Sequence, residues 1–150
     1  MTIEARQNEI IDEFSLLDGE MEMTLQYLME LGQKLSPLPD KYRTEENIVK
    51  GCQSKVWLNA EMKDDKIIFQ ADSNTAITKG LLSLLVRVLS GQKADDILNA
   101  DLYFMAQIKM DRFIGTQRSN GFASMVKQMK WYALAFKTKM SAFKTDKQTA

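Results

Sequence analysis

The 150-residue chain predicts an α+β fold, a small antiparallel sheet of about three strands covered by helices, as a single domain spanning residues 1–150. Three observations carry this. Val56, Leu58, Ala60 and Met62 alternate with Trp57, Asn59, Glu61 and Lys63, and Ile67, Phe69 and Ala71 resume that two-residue period after Asp64-Asp65-Lys66. Ile77, Leu81, Leu84, Leu85, Val88 and Leu89 recur at helical spacing. So do Phe122, Met125, Val126, Met129, Tyr132, Ala133, Phe136, Met140 and Phe143.

In chain order, Ile3, Ile10, Ile11 and Phe14 mark a first helix, and Met21, Leu25, Leu28 and Leu31 a second, with Asp18 as its N-cap and Gly32 as its stop. Ser36 to Asn47 holds both prolines, Pro37 and Pro39, and has no period, so it reads as an irregular connection running into Lys50-Gly51-Cys52-Gln53-Ser54. The hairpin of residues 56–71 is marginal alone, so a third strand near Ile48-Val49 or a covering helix is expected. Asp72 or Ser73 caps the next helix, which ends at Gly91. Asp95 to Leu98 and Leu102 to Ile108 read as short helical pieces. Gly115-Thr116-Gln117 breaks the chain, and the long helix lies beyond Arg118-Ser119-Asn120-Gly121.

Hydrophobic residues make up 45% and charged residues 27%, the balance of a folding globular chain. The first residues are polar, and the apolar stretch Leu81 to Leu89 is interrupted by Ser83 and Arg87, so neither a signal peptide nor a membrane span is expected. With one cysteine and no internal disulfide, this points to a reducing cytoplasm. Net charge is zero, without the basic footprint of a nucleic-acid binder. The charge is nevertheless uneven. Met1 to Leu31 holds eight acidic residues against Arg6, and Lys127 to Ala150 six lysines against Asp146, as solvated helix faces do or as charge-guided docking of a protein partner requires.

Histidine is absent, which removes Ser-His-Asp and Cys-His hydrolysis. One cysteine and no histidine leave only carboxylates as metal ligands, so no metal is expected. Chemistry concentrates on Cys52, at the junction of a loop with a strand. Gly51 keeps its approach open, and Lys50 and Lys55 flank it, as cations that favour a thiolate do. No second thiol is present for a resolving or Cys-x-x-Cys role. A one-cysteine sulfur carrier needs neither: its thiolate attacks an incoming persulfide, becomes the persulfide, and is attacked by the next acceptor. Trp57 and the helix Ile77 to Leu89 offer a dry wall for the loaded sulfur, although Trp57 also reads as core. A structural Cys52 in a non-catalytic adaptor and a single-cysteine redox sensor stay open on these residues.

The blocks Leu31-Gly32-Gln33-Lys34-Leu35, Val49-Lys50-Gly51-Cys52-Gln53-Ser54-Lys55-Val56-Trp57, Ala71-Asp72-Ser73 leading to Lys79-Gly80-Leu81, and Arg118-Ser119-Asn120-Gly121 with Met125 resemble, in order, the SufE/CsdE family of sulfur-acceptor proteins of iron–sulfur cluster assembly. The resemblance implies a SufE/IscU-like fold. It implies that Cys52 takes persulfide sulfur from a SufS-type cysteine desulfurase, stimulates that enzyme, and delivers the sulfur to a SufB or SufBCD scaffold. The chain then needs no cofactor of its own, since pyridoxal phosphate belongs to the desulfurase. By the same resemblance Cys52 sits at the tip of a loop that can tuck the thiol inward, with Arg118 near it, and Gly51, Gln53, Ser54, Asp72 and Asn74 complete the binding surroundings. The chain departs from the family pattern at Asn74, where an acidic residue is common, at Ile114-Gly115-Thr116-Gln117-Arg118, and around Asp18-Gly19-Glu20, where an aromatic is frequent. The fold is shared with cluster scaffolds, but a lone cysteine lacks their converging ligands.

Overall fold

A computed structural model describes the backbone of residues 1–149 and the side chains of residues 1–141. Helices α1 (Ile3–Ser15) and α2 (Met21–Gln33) lead into two short 3-10 turns, Asp40–Tyr42 and Glu45–Asn47. Strands β1 (Val56–Lys63) and β2 (Lys66–Ser73) follow, then α3 (Ala76–Leu89), β3 (Gln92–Lys93), α4 (Ala94–Leu98), α5 (Phe104–Gln107) and α6 (Met110–Thr149). The architecture is α+β, with a three-stranded antiparallel sheet in the order β1-β2-β3.

Asp64 and Asp65 both take positive φ, 58° and 77°, the conformation of the two-residue turn whose twist suits a hairpin. That turn sets the register Val56 opposite Ser73 through Lys63 opposite Lys66. Val56, Leu58, Ile67, Phe69 and Ala71 consequently share one buried face. Helix α3 packs on that sheet and buries Leu81, Leu82, Leu84, Leu85, Val88 and Leu89, as its period predicts. The third strand is Gln92–Lys93, not Ile48-Val49. Ile48 forms only an isolated antiparallel bridge to Trp57, on the other edge of β1. Its tie continues through Val49 N–H, which donates to Val56 O at 2.9 Å.

The expected helix ends need three corrections. Glu20, not Asp18, caps α2, its carboxylate accepting from the N–H groups of Glu22 and Met23, while Asp18 sits at φ 54° in the preceding turn. Gly32 does not stop α2: it lies inside the helix, where α2 crosses α3 at Gly80. A Cβ on Gly32 would stand 2.7 Å from Gly80 N, so this close crossing requires both glycines. Asp72 and Ser73 belong to β2 and do not cap α3, whose N-cap, Thr75, makes no side-chain capping bond.

Gly115, at φ 84° and ψ 168°, interrupts α6 as expected. Helical backbone resumes immediately after it, so Arg118-Ser119-Asn120-Gly121 form the early turns of the long helix instead of a connection before it. Phe122, Met125, Met129 and Ala133 are buried along its inner face. Phe143, Lys144, Asp146 and Lys147 lie outside the described side chains. Among the described residues, no helix is long and apolar enough to cross a membrane.

At the far end, buried Gln7 fastens α1 to the chain before α5. Its Nε2 donates to Asp101 O, and its Oε1 accepts from Tyr103 and Phe104 N–H at 2.9 and 3.2 Å. One continuous hydrophobic core runs from Ile3 on α1 to Ala133 on α6.

Candidate functional site

Cys52 stands on the loop between the Ile48 bridge and β1, and the early turns of α6 pass beneath it. The loop is fixed on both flanks. Val49 is bonded to Val56, and Lys55 is clamped by Asn74, whose Oδ1 accepts from Lys55 N–H at 3.0 Å while its own N–H donates to Lys55 O at 3.3 Å. Gly51 takes φ 92°, and a Cβ there would approach Ser124 Oγ to 2.5 Å, so the backbone reaches this turn, and this closeness to α6, only as glycine.

The consequence is a half-buried thiol. Cys52 Sγ–H donates to the Gly121 carbonyl at 3.5 Å, and Gly121 itself is close enough that a Cβ would contact Sγ. Burial pushes the Cys52 pKa up. This corrects the expectation of an activated thiolate. Lys50 and Lys55 are its sequence neighbours, but both are exposed, and burial sets the direction at the sulfur. At neutral pH that burial favours the protonated thiol over the thiolate.

Sγ borders an open cavity of about 330 Å³. Cys52, Gln53 and Ser54 form the loop side; Asn74 and Thr75 come from the turn between β2 and α3, and Thr78 and Leu81 from the first turns of α3; Gln117, Arg118, Gly121 and Met125 come from α6. Ser54, Thr75 and Thr78 make a hydroxyl cluster, with Ser54 Oγ 2.8 Å from Thr75 Oγ1 and 3.4 Å from Thr78 Oγ1. Among the described residues, no carboxylate lines the cavity, and Arg118 is its one charged lining residue. Arg118 is exposed, and its Nη1 donates to Ile114 O at 3.3 Å. An anion in the cavity therefore meets one guanidinium and several hydroxyl or amide donors.

Of the residues singled out from sequence, Cys52, Gln53, Ser54, Asn74 and Arg118 converge on this cavity, and Gly51 seats the loop. Asp72 does not. It faces the Arg43 guanidinium and Ser73 N–H, with Lys79 Nζ at 3.5 Å, in a structural network beside the cavity. Burial alone would raise its pKa, but these hydrogen bonds and charges prevail and hold the carboxyl below its ordinary range. Trp57 also lies outside the cavity, half-buried with the Arg43 guanidinium 5.2 Å from its ring centre, so it is no wall for the sulfur. Thr75, Thr78 and the Gly121 carbonyl are the additions that sequence reasoning missed. Their signal was faint: two threonines one helical turn apart, just after Asp72-Ser73.

A family model described as SufE, an Fe–S metabolism associated domain, matches residues 8–133. The chain belongs to the SufE family. Its role accordingly lies in Fe–S metabolism. Among SufE-like relatives, an uncharacterized protein of Rhizobium meliloti is 35% identical over 128 residues, covering 82% of this chain and 91% of that protein. The protein named cysteine desulfuration protein SufE of Wigglesworthia glossinidia brevipalpis is 33% identical over 106 residues, covering 69% of this chain and 74% of its own. The solution structure of a hypothetical protein from Thermus thermophilus has the same fold, with a TM-score of 0.74 at 19% identity over 89% of this chain and 96% of that one. SufE membership covers β1, β2, α3 and the part of α6 that carries the cavity.

Proposed function

We propose that Cys52 is the sulfur-transfer point of a persulfide carrier, loaded by a SufS-type cysteine desulfurase and unloaded to a SufB or SufBCD scaffold. One observation carries the reading: the thiol, the one cysteine of the chain, sits half-buried at a loop tip against a cavity whose described lining residues include no carboxylate, in a SufE-family chain.

The chemistry is an exchange at sulfur. The Cys52 thiolate attacks the outer sulfur of the desulfurase persulfide; a new S–S bond forms as the old one breaks, and the desulfurase cysteine leaves as thiolate. Electrons balance without an oxidant. The outer sulfur then leaves Cys52 by the same step, attacked by a nucleophile of the scaffold. Cys52 must lose its proton first, and its burial opposes that at rest. Lifting the loop from Gly121 into a partner's active site removes the opposition. The geometry supports such a movement: among the described residues, one hydrogen bond joins the loop from Lys50 to Ser54 to α6, from Cys52 Sγ–H to the Gly121 carbonyl, beside the close approach of Gly51 to Ser124. When the loop returns, the cavity gives the second sulfur room beside Arg118 and the Ser54–Thr75–Thr78 hydroxyls.

The test separates a carrier from an adaptor. Desulfurase turnover of cysteine is measured with wild type and with Cys52→Ser. A carrier stimulates turnover only as wild type; equal stimulation by Cys52→Ser assigns Cys52 a structural role.

A further inference from the structure

On the other side of the Cys52 loop, α6 continues into a second groove of about 460 Å³. Its floor is Ser124, Lys127, Gln128 and Trp131, and its far wall is Ile48 and Lys50 on the segment leading to Cys52. Trp131 is 59% exposed and Leu134, one turn further on the same face, 52%. Tyr132 meets the Trp131 ring edge-on at 5.7 Å, which restricts the indole without covering it. A large aromatic held open on a surface groove has the character of an interface anchor, with the lysines as its charged rim.

The charges identify what fits it. Among the described residues, Lys50, Lys55, Arg118 and Lys127 make no ion pair, and Glu46 is the one carboxylate lining the groove. The face around Cys52 is therefore basic, whereas the α1–α2 end carries the acidic excess. We infer that the groove of Trp131, Lys127 and Lys50 docks a segment of the desulfurase that bears carboxylates and an apolar side chain. The side chain packs on the indole, and the carboxylates face the two lysines. Docking there places the partner's chain next to Lys50, two residues from the thiol it must reach. This inference rests on the carrier reading and adds the surface by which the partner is held.

The protein labelled with 5-fluorotryptophan gives the direct readout, its Trp131 resonance assigned by its loss in Trp131→Phe. Addition of unlabelled SufS-type desulfurase shifts or broadens that resonance. In steady-state stimulation assays, Trp131→Ala and Lys127→Glu raise the half-saturating concentration by about tenfold, a typical loss for an interface anchor. Lys63→Glu, the same charge change at the distant hairpin end, leaves it unaltered. Added salt weakens wild type more than Lys127→Glu. A Trp131 resonance that stays put while stimulation proceeds overturns the groove and leaves the carrier reading standing. A resonance that answers only to a SufB-containing scaffold also overturns the assignment to the desulfurase. Absence of any stimulation by wild type removes the carrier reading, and the groove's occupant with it.

Discussion

The Sγ of Cys52 and the carbonyl oxygen of Gly121 stand 3.5 Å apart, joining the tip of the 50–54 loop to the second turn of the long helix beyond its Gly115 break. Gly121 has no side chain to hold the loop away, and a Cβ there would lie 3.5 Å from Sγ, in ordinary contact. Alanine should therefore fit, adding helix propensity, whereas leucine has to lift the loop. Gly121→Leu is expected to speed alkylation of Cys52 by at least about tenfold, the effect of about 1.4 kcal/mol removed from the seated state. Gly121→Ala changes the rate little. Timed iodoacetamide labelling read by intact mass checks both.

The same burial has a pH signature. Because desolvation raises the Cys52 pKa, the thiolate fraction at neutral pH falls below that of a free cysteine, whose pKa is about 8.5. The midpoint of the native protein's alkylation-rate profile should lie above that of an unfolded sample, which falls at about pH 8.5. A native rate that saturates below about pH 8 would mean an activated thiolate at rest.

Asp72 couples the segment before Cys52 to the sheet. Its carboxylate faces Arg43 and Lys79, and Arg43 lies over Trp57, the residue paired with Asp72 across β1 and β2. Asp72→Asn leaves Lys79 without its charge partner and Arg43 with only the exposed Asp40, and should cost about 1–3 kcal/mol, because Asp72 is buried while the cations keep part of their water. The folded carboxyl is held low, so its contribution is fully present above the unfolded value of about 3.9 and is lost as pH falls through the lower, folded value. Urea unfolding at about pH 7 and about pH 3 should show the wild type losing stability on acidification, with a smaller loss for Asp72→Asn.

Where α2 crosses α3, Gly32 and Gly80 leave no room for a methyl group. Glycine to alanine inside a helix ordinarily gains up to about 1 kcal/mol. At Gly80 the sign should reverse, since the added carbon would meet the carbonyl and side chain of Leu28, and a net loss of about 2 kcal/mol is expected. Thermal unfolding should show a melting temperature lower by roughly 4–8 °C.

How much of this was legible in sequence depended on how local each signal is. The hairpin could be read because alternation and an Asp-Asp turn are contained within the 18 residues from Val56 to Ser73. The α3 and α6 faces could be read because core contact repeats at the helical period. Gly32 reads as a stop because a glycine after an apolar run commonly is one; its partner in the crossing, Gly80, is remote in sequence, and only packing joins them. Asp72 and Asn74 stand two residues apart and look equivalent in a motif, yet one belongs to an ion-pair network and the other clamps the Cys52 loop. The expectation of a thiolate failed for a related reason. Flanking lysines are visible in sequence, while the Gly121 carbonyl and the dry side of α6 arrive from 69 residues away.

The persulfide itself is the most direct measurement. Wild type incubated with cysteine and a SufS-type desulfurase, then analysed by intact mass and peptide mapping, should carry one additional sulfur on Cys52, released by dithiothreitol and absent from Cys52→Ser. A protein that stimulates the desulfurase yet never gains that sulfur, or that gains it equally as Cys52→Ser, contradicts the assignment of Cys52 as the transfer point.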